Sequence, residues 1–268
     1  MDLLYSLSGF VVGLLVGITG VGGGSLMTPL LVFMFGFPAT VAVGTDLLYA
    51  ALTKTGGVFV HHRAHHSVDW RIVRRLALGS LPMAIITLFV IRHYMAIGAE
   101  ITGVITYSLG IALVLTSAAL FVRVIMLRNV AAVVDDVTVD SRSAARFGAP
   151  WDLPATVLIG AVLGVLVTLS SVGAGALGTV ALLFLYPRLS ALKIVGTDLA
   201  HAIPLTAVAG IGHWALGNVD FVLLGSLLIG SLPGIWVGSH LSAKIPEQFL
   251  RPSLALILML VGLKFVLQ

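Results

Sequence analysis

Two aspartates stand out by their surroundings. Asp46 and Asp198 are the only carboxylates inside apolar stretches, each within a Val-Gly-Thr-Asp-Leu string: Val43-Gly44-Thr45-Asp46-Leu47 and Val195-Gly196-Thr197-Asp198-Leu199. An ionised carboxylate in hydrocarbon costs roughly 3 kcal/mol or more, so such a group faces a cavity and marks a pathway for protons or ions. The competing reading is an N-cap, because each follows a Gly-Thr pair where a helix could begin. At about 100° per residue, Asp46, Thr53, Lys54, Gly57 and His61 fall within about a quarter turn of one another. Asp198, Thr206, Gly210 and His213 take matching angles, with His201 one turn along and Pro204 placed to bend the helix. Each stripe sets a histidine fifteen residues after its aspartate. Asp46, Asp198, His61, His201 and His213 are therefore the candidates for proton movement. For the histidines, the blander reading is an interfacial position.

Lys54 is the one basic residue in the interior of an apolar segment. It can pair with an aspartate or hold an anion, or it can extend its stem and snorkel to the surface. Runs of glycine add a second kind of candidate. Gly22, Gly23 and Gly24 in the first half, and Gly173 and Gly175 in the second, allow close backbone approach and precede short apolar segments. Helix N-termini there would present partial positive charge to an anion, with Ser25, Thr45, Thr197 and Lys54 completing a binding set. Packing by small residues is the alternative. His61-His62-Arg63-Ala64-His65-His66 contains two i, i+4 histidine pairs, yet no acidic or sulfur ligand accompanies them, so a solvated interface is expected and no metal. No cofactor is expected either.

These residues need elements to hold them, and composition says which. Hydrophobic residues make up 59% of the 268 and charged residues 10%, and the mean hydropathy is +1.11. A soluble domain carries about 25% charged residues, so the bilayer is the solvent here and helices must satisfy the backbone. The absence of cysteine excludes disulfides and thiolate chemistry. Basic residues lie between apolar segments rather than on one face, which argues against nucleic acid.

Apolar runs predict ten segments, near 3 to 20, 23 to 36, 41 to 62, 70 to 92, 97 to 122, 153 to 170, 174 to 187, 191 to 214, 219 to 242 and 249 to 268. The polar stretch 123–152 divides the chain into a first membrane repeat, 1–122, and a second, 153–268. Twelve basic residues fall on one side of the resulting topology, including Arg71, Arg74, Arg75 and the linker arginines, and two, Arg92 and Lys264, on the other. That bias puts the linker in the cytoplasm and both termini outside, in a multi-pass protein of the cytoplasmic (inner) membrane.

The halves repeat beyond the aspartate strings. Val21-Gly22-Gly23-Gly24-Ser25-Leu26 answers to Val172-Gly173-Ala174-Gly175-Ala176-Leu177, Gly79-Ser80-Leu81-Pro82 to Gly230-Ser231-Leu232-Pro233, and Val68-Asp69-Trp70 to Val219-Asp220-Phe221. Five segments per unit is odd, so the second unit must be inverted. The expected fold is thus all-α, with eight to ten transmembrane helices in two inverted repeats. Segments two and seven, about 14 residues or roughly 21 Å long, are too short to cross a 30 Å core alone. They enter either as spans or as arms of helical hairpins.

Together the glycine-rich turn, the repeated Val-Gly-Thr-Asp, the histidine-bearing stretch and the Gly-Ser-Leu-Pro helices resemble the sulfite exporter TauE/SafE family over nearly the whole chain. The resemblance implies a permease, not an enzyme, that moves a small anion such as sulfite or an organosulfonate, with the lipid bilayer and the anionic solute as its partners. A cation or metal transporter is the main alternative. A passive channel and an intramembrane aspartyl hydrolase with Asp46 and Asp198 as a dyad complete the set.

Overall fold

The computed structural model describes residues 3–19, 24–65, 68–130, 149–241 and 247–267. These residues form ten helices: α1 (Leu3–Thr19), α2 (Gly24–Phe33), α3 (Ala39–His65), α4 (Trp70–Ala96), α5 (Thr102–Val130), α6 (Ala149–Ser170), α7 (Leu177–Leu185), α8 (Ala191–Ala215), α9 (Phe221–Leu241) and α10 (Glu247–Leu267). The fold is all-helical. α5 and α6 reach into the expected linker from both ends, while residues 131–148 lie outside the described set. Gly22, Gly23 and the side chain of His61 also lie outside it.

The polarity of this fold is turned inside out. Leu78, Phe89, Leu158, Val222 and Trp236 face outward, whereas Thr28, Thr45, Asp46, Ser80, Thr197, His201 and Thr206 are buried. Only an apolar solvent makes that arrangement favourable. Helices α4, α6, α8 and α9, and α5 over Thr102–Val122, are long and apolar enough to cross a membrane. α2 and α7 are not: ten and nine residues give about 15 and 13.5 Å against a core of about 30 Å.

Packing follows the repeat. α1 lies along α9 and α4 along α6, two contacts that exchange when the halves exchange. Within each pair the helices run parallel. Gly9, Gly13 and Gly17 of α1 meet the backbone of Leu227, Ser231 and Ile235, and Gly160 and Gly164 of α6 meet that of Leu76 and Ser80. α3 pairs with α8 and α5 with α10, each helix with its own counterpart. These pairs are antiparallel: Gly44 abuts His213 and Leu48 abuts Gly210, and Ser117 of α5 donates to the Ala255 carbonyl of α10 at 2.6 Å. Equivalent helices running in opposite directions are what an inverted two-fold relation requires.

The halves are also stitched at their loops. Asp69 caps α4, its side chain accepting from the Arg71 and Ile72 amides, and its own amide donates to Thr197 Oγ1 on α8 at 2.9 Å. The mirror bond runs from the Asp220 amide to Thr45 Oγ1 on α3 at 3.1 Å. The helix-capping reading therefore belongs to Asp69 and Asp220. Asp46 and Asp198 sit seven residues inside α3 and α8, and Ser190 is the cap of α8.

The glycine contacts set a clear expectation for stability. A Cβ at Gly13 would overlap the Ser231 backbone, whereas one at Gly103 meets nothing. Gly13→Ala should cost about 1–3 kcal/mol through overpacking, and Gly103→Ala should gain up to about 1 kcal/mol from helix propensity. Thermal unfolding in detergent checks the pair; equal shifts would show that the α1–α9 contact is not close.

Candidate functional site

α6 ends at Ser170 and the chain runs non-helically until α7 begins at Leu177. A break of this kind exposes carbonyls that must find donors, because no lipid can supply them. The structure provides them one by one. Val167 O accepts from the Ser171 amide at 2.8 Å, and Gly173 O from the Leu177 and Gly178 amides at 3.1 and 3.2 Å. Gly175 O accepts from Thr179 Oγ1. Two carbonyls are taken by side chains from other helices: Thr168 O lies 2.9 Å from His213 Nε2, and Ala174 O lies 3.0 Å from Lys54 Nζ. A carbonyl can only accept, so His213 carries its proton on Nε2. Gly173 and Gly175 adopt φ of 115° and 128°, which a side chain would strain.

The stretch passes three charged groups in turn. At its start the Ser171 hydroxyl faces the Asp46 carboxylate. Midway Ala174 meets Lys54. At its end Gly178 packs on the Asp198 carboxylate, and Thr179 Oγ1 donates to Asp198 Oδ2 at 2.9 Å. Thr28 of α2 donates in the same way to Asp46 Oδ2. Both aspartates and Lys54 are buried, and Lys54 interacts electrostatically with Asp198 and with Asp46.

The sequence-derived candidates divide accordingly. Asp46, Lys54, Asp198, Gly173 and Gly175 converge on this one path. Gly24 opens α2, and Ser25 is buried one residue further along. Thr45 and Thr197 sit beside the aspartates, but their hydroxyls hold the loops at Asp220 and Asp69. Thr197 also donates to Lys193 O at 2.6 Å. His201 makes no hydrogen bond to the break; its Nε2 lies 2.8 Å from Ser80 Oγ on α4, and Lys54 acts on it electrostatically. Of the rest of the stripe, Thr206 bonds within its own helix to Ala202 O, and Gly210 makes room for Leu48.

Thr28, Thr179 and Ser171 were not singled out by sequence. The two threonines were within reach, since Ser25-Leu26-Met27-Thr28 and Ala176-Leu177-Gly178-Thr179 continue the aligned repeat by two residues. Nothing marked Ser171. Among the described residues no group of three or more His, Cys, Asp or Glu side chains could hold a metal ion.

Comparison with known proteins agrees with this architecture. The profile of the family "Sulfite exporter TauE/SafE" matches residues 5–265. The chain is 36% identical over 273 residues to the probable membrane transporter protein YjnA of Bacillus subtilis (strain 168), covering 99% of this chain and 100% of that one. It is 27% identical over 260 residues to the probable membrane transporter protein YdhB of the same organism, covering 95% and 96%. It is likewise 27% identical over 278 residues to the probable membrane transporter protein MJ0441 of Methanocaldococcus jannaschii, covering 97% and 93%. No solved structure matches. The chain belongs to the sulfite exporter TauE/SafE family and is a multi-pass membrane transporter, not an enzyme.

The threonine–carboxylate bonds can be weighed directly. Thr28→Val or Thr179→Val removes a buried donor to a carboxylate and should destabilise by about 1.5–3 kcal/mol. Thr106→Val, whose exposed hydroxyl bonds only to Thr102 O, should stay within about 0.5 kcal/mol. Chemical or thermal unfolding of the three variants in one detergent makes the comparison; three equal values would remove the threonines from the site.

Proposed function

We propose that this member of the sulfite exporter TauE/SafE family is a secondary transporter of a small anion, such as sulfite or an organosulfonate, coupled to protons carried by Asp46 and Asp198. One observation carries the reading: Lys54, the one buried lysine among the described residues, interacts electrostatically with two buried aspartates on counterpart helices and ends on the unwound chain at Ala174. Lys54 balances one carboxylate. A proton on the other leaves the site neutral, and a second proton leaves it with net positive charge that an anion can neutralise. Anion and protons then travel together, and release of the protons expels the anion by like-charge repulsion.

The unwound stretch supports the anion reading. Lys54 already holds a carbonyl there, and an oxyanion competes for the same ammonium with full charge instead of a partial one. Gly173 and Gly175 keep that stretch free of side chains, and Gly22, Gly23, Gly24 and Ser25 are the equivalent stretch of the first half. Thr45 and Thr197 we assign to the joints between the halves. His213 holds the end of α6 in place, and His201 and His61 are secondary candidates for proton movement. The membrane potential drives anion efflux by about 2.3 kcal/mol per charge per 100 mV, so uptake requires coupling, for which two titratable aspartates are suited.

The transporter is placed in the cytoplasmic membrane with both termini outside and 123–152 inside, on the twelve-to-two distribution of basic residues. Because the chain has no cysteine, single cysteines near Asp2 and Asp135 report orientation without background. The one near Asp2 should react with an impermeant maleimide added to intact cells, and the one near Asp135 only after lysis; the reverse pattern would invert the topology.

Flux in proteoliposomes tests the coupling. Asp46→Asn and Asp198→Asn should still exchange radiolabelled sulfite at equilibrium yet lose the acceleration given by an imposed pH gradient, and Lys54→Gln should lower anion affinity by tenfold or more. Full gradient-driven flux in both aspartate variants would move coupling elsewhere. Unchanged affinity in Lys54→Gln would end the anion assignment of the lysine.

A further inference from the structure

The parallel pairs α1–α9 and α4–α6 are counterparts, yet their glycines are not distributed alike. On α9, Gly230, Gly234 and Gly238 all meet the backbone of α1. Counting from the Gly-Ser-Leu-Pro motifs, the α4 residues in those places are Gly79, Met83 and Thr87. Opposite them, Gly9, Gly13 and Gly17 of α1 answer to Gly160, Gly164 and Thr168 of α6. Glycine lets two backbones close together, and larger side chains hold them apart. α4 and α6 meet closely at Gly79, Gly160 and Gly164. Beyond Gly164 a cavity of about 440 Å³ lies between them and α5.

The walls of this cavity are apolar. Met83, Val104, Val165 and Leu169 line it, and the Thr87 hydroxyl is used within its own helix, donating to Met83 O at 2.7 Å. From Met83 to Tyr94 the cavity follows α4 for about 16 Å. One end is polar. α4 stops where Gly98 takes φ 73°, and the Ala99 amide bonds back to Tyr94 O at 3.0 Å. That turn brings Glu100 over the last turn of the helix, and Tyr94 and Glu100 both line the cavity. Glu100 is the one charged residue of the lining, and no described residue pairs with it. Ile86, Val90 and Val104 are exposed, so the slot opens sideways to the bilayer.

We infer that the space between α4, α5 and α6 is a binding site for a phospholipid with an ammonium headgroup, phosphatidylethanolamine. Its ammonium sits on Glu100 and Tyr94, and one acyl chain lies along the apolar wall toward Leu169. Charge complementarity selects the head. A primary ammonium has three donors for a carboxylate and a phenol oxygen, a quaternary choline has none, and an anionic glycerol headgroup is repelled by the carboxylate. The apolar wall selects the tail, because no backbone or side-chain donor there is left to hold a polar solute. Leu169 precedes Ser170, where α6 ends, so the far end of the chain supports α6 beside its break.

Purified full-length protein, stripped of lipid in detergent, is titrated with phosphatidylethanolamine, phosphatidylcholine or phosphatidylglycerol carrying identical acyl chains. Native mass spectrometry and the unfolding temperature are the readouts. Phosphatidylethanolamine should raise the unfolding temperature saturably and bind about tenfold or more tighter than the other two, as one charge-assisted contact allows. Glu100→Gln, at an exposed loop position, should fold normally and bind all three lipids alike. Val104→Trp, whose wild-type side chain is 59% exposed, fills the slot away from the head and should weaken binding of all three. Val222→Trp, on the outward face of α9, should leave the preference intact. Equal affinity for the three lipids in the wild type, or an undiminished preference in Glu100→Gln, overturns the assignment of the head. Wild-type affinity in Val104→Trp overturns the cavity as the seat of the chain. No anion and no pH gradient enters the experiment, so its outcome is independent of the flux measurements.

Discussion

A helix broken inside a membrane must find donors for its freed carbonyls within the protein. In this chain that constraint falls on the stretch between α6 and α7. Thr168 O is met by His213 on α8, Gly175 O by Thr179 on α7, and Ala174 O by Lys54 on α3. Each of these bonds fixes something else. His213 ties the end of α6 to α8, Thr179 ties the start of α7 to Asp198, and Lys54 is held in the interior instead of extending to the surface. The non-helical backbone thus takes a buried lysine as one of its donors, and a buried cation makes two buried carboxylates tolerable.

The two-fold relation organises this arrangement but does not complete it. The threonine–aspartate bonds match between the halves, as do the joints from Asp220 to Thr45 and from Asp69 to Thr197. Counting from the aspartates, however, Lys54 corresponds to Thr206 and Tyr49 to His201. One half carries the positive charge and the other does not. The joints adjoin the aspartates in sequence, Thr45 beside Asp46 and Thr197 beside Asp198, so a change of charge at either acid acts next to a contact between halves.

Much of the fold was legible because the bilayer imposes a simple rule. Apolar runs gave ten segments, and the structure has a helix in each of those places, with α2 and α7 short as their lengths required. The aspartates were identifiable from burial cost alone, and Lys54 from its place in an apolar segment. The N-cap alternative for the aspartates was a matter of where α3 and α8 begin. Both start seven residues earlier, since the Val-Gly-Thr residues before each aspartate continue the helix against the neighbouring half: Gly44 lets the backbone of Asn218 approach, and Thr45 receives the Asp220 amide. Thr28 and Thr179 could have been found by following the repeat two residues further, whereas nothing in the sequence marks Ser171, whose left-handed backbone angle is a feature of the folded chain.

By itself the sequence determined the solvent, the helical class, the internal repeat with its inverted sense, and the residue types too costly to bury without purpose. Those follow from hydropathy, charge placement and an odd segment count, which are properties of the chain read along its length. Tertiary structure alone decided partnership. Lys54 and Ala174 are 120 residues apart, Ser80 and His201 121, and Thr45 and Asp220 175. No periodicity within either half specifies which carbonyl a lysine will reach. That depends on α3 lying antiparallel against α8 and on the chain unwinding after Ser170, both of which are settled by packing between the halves.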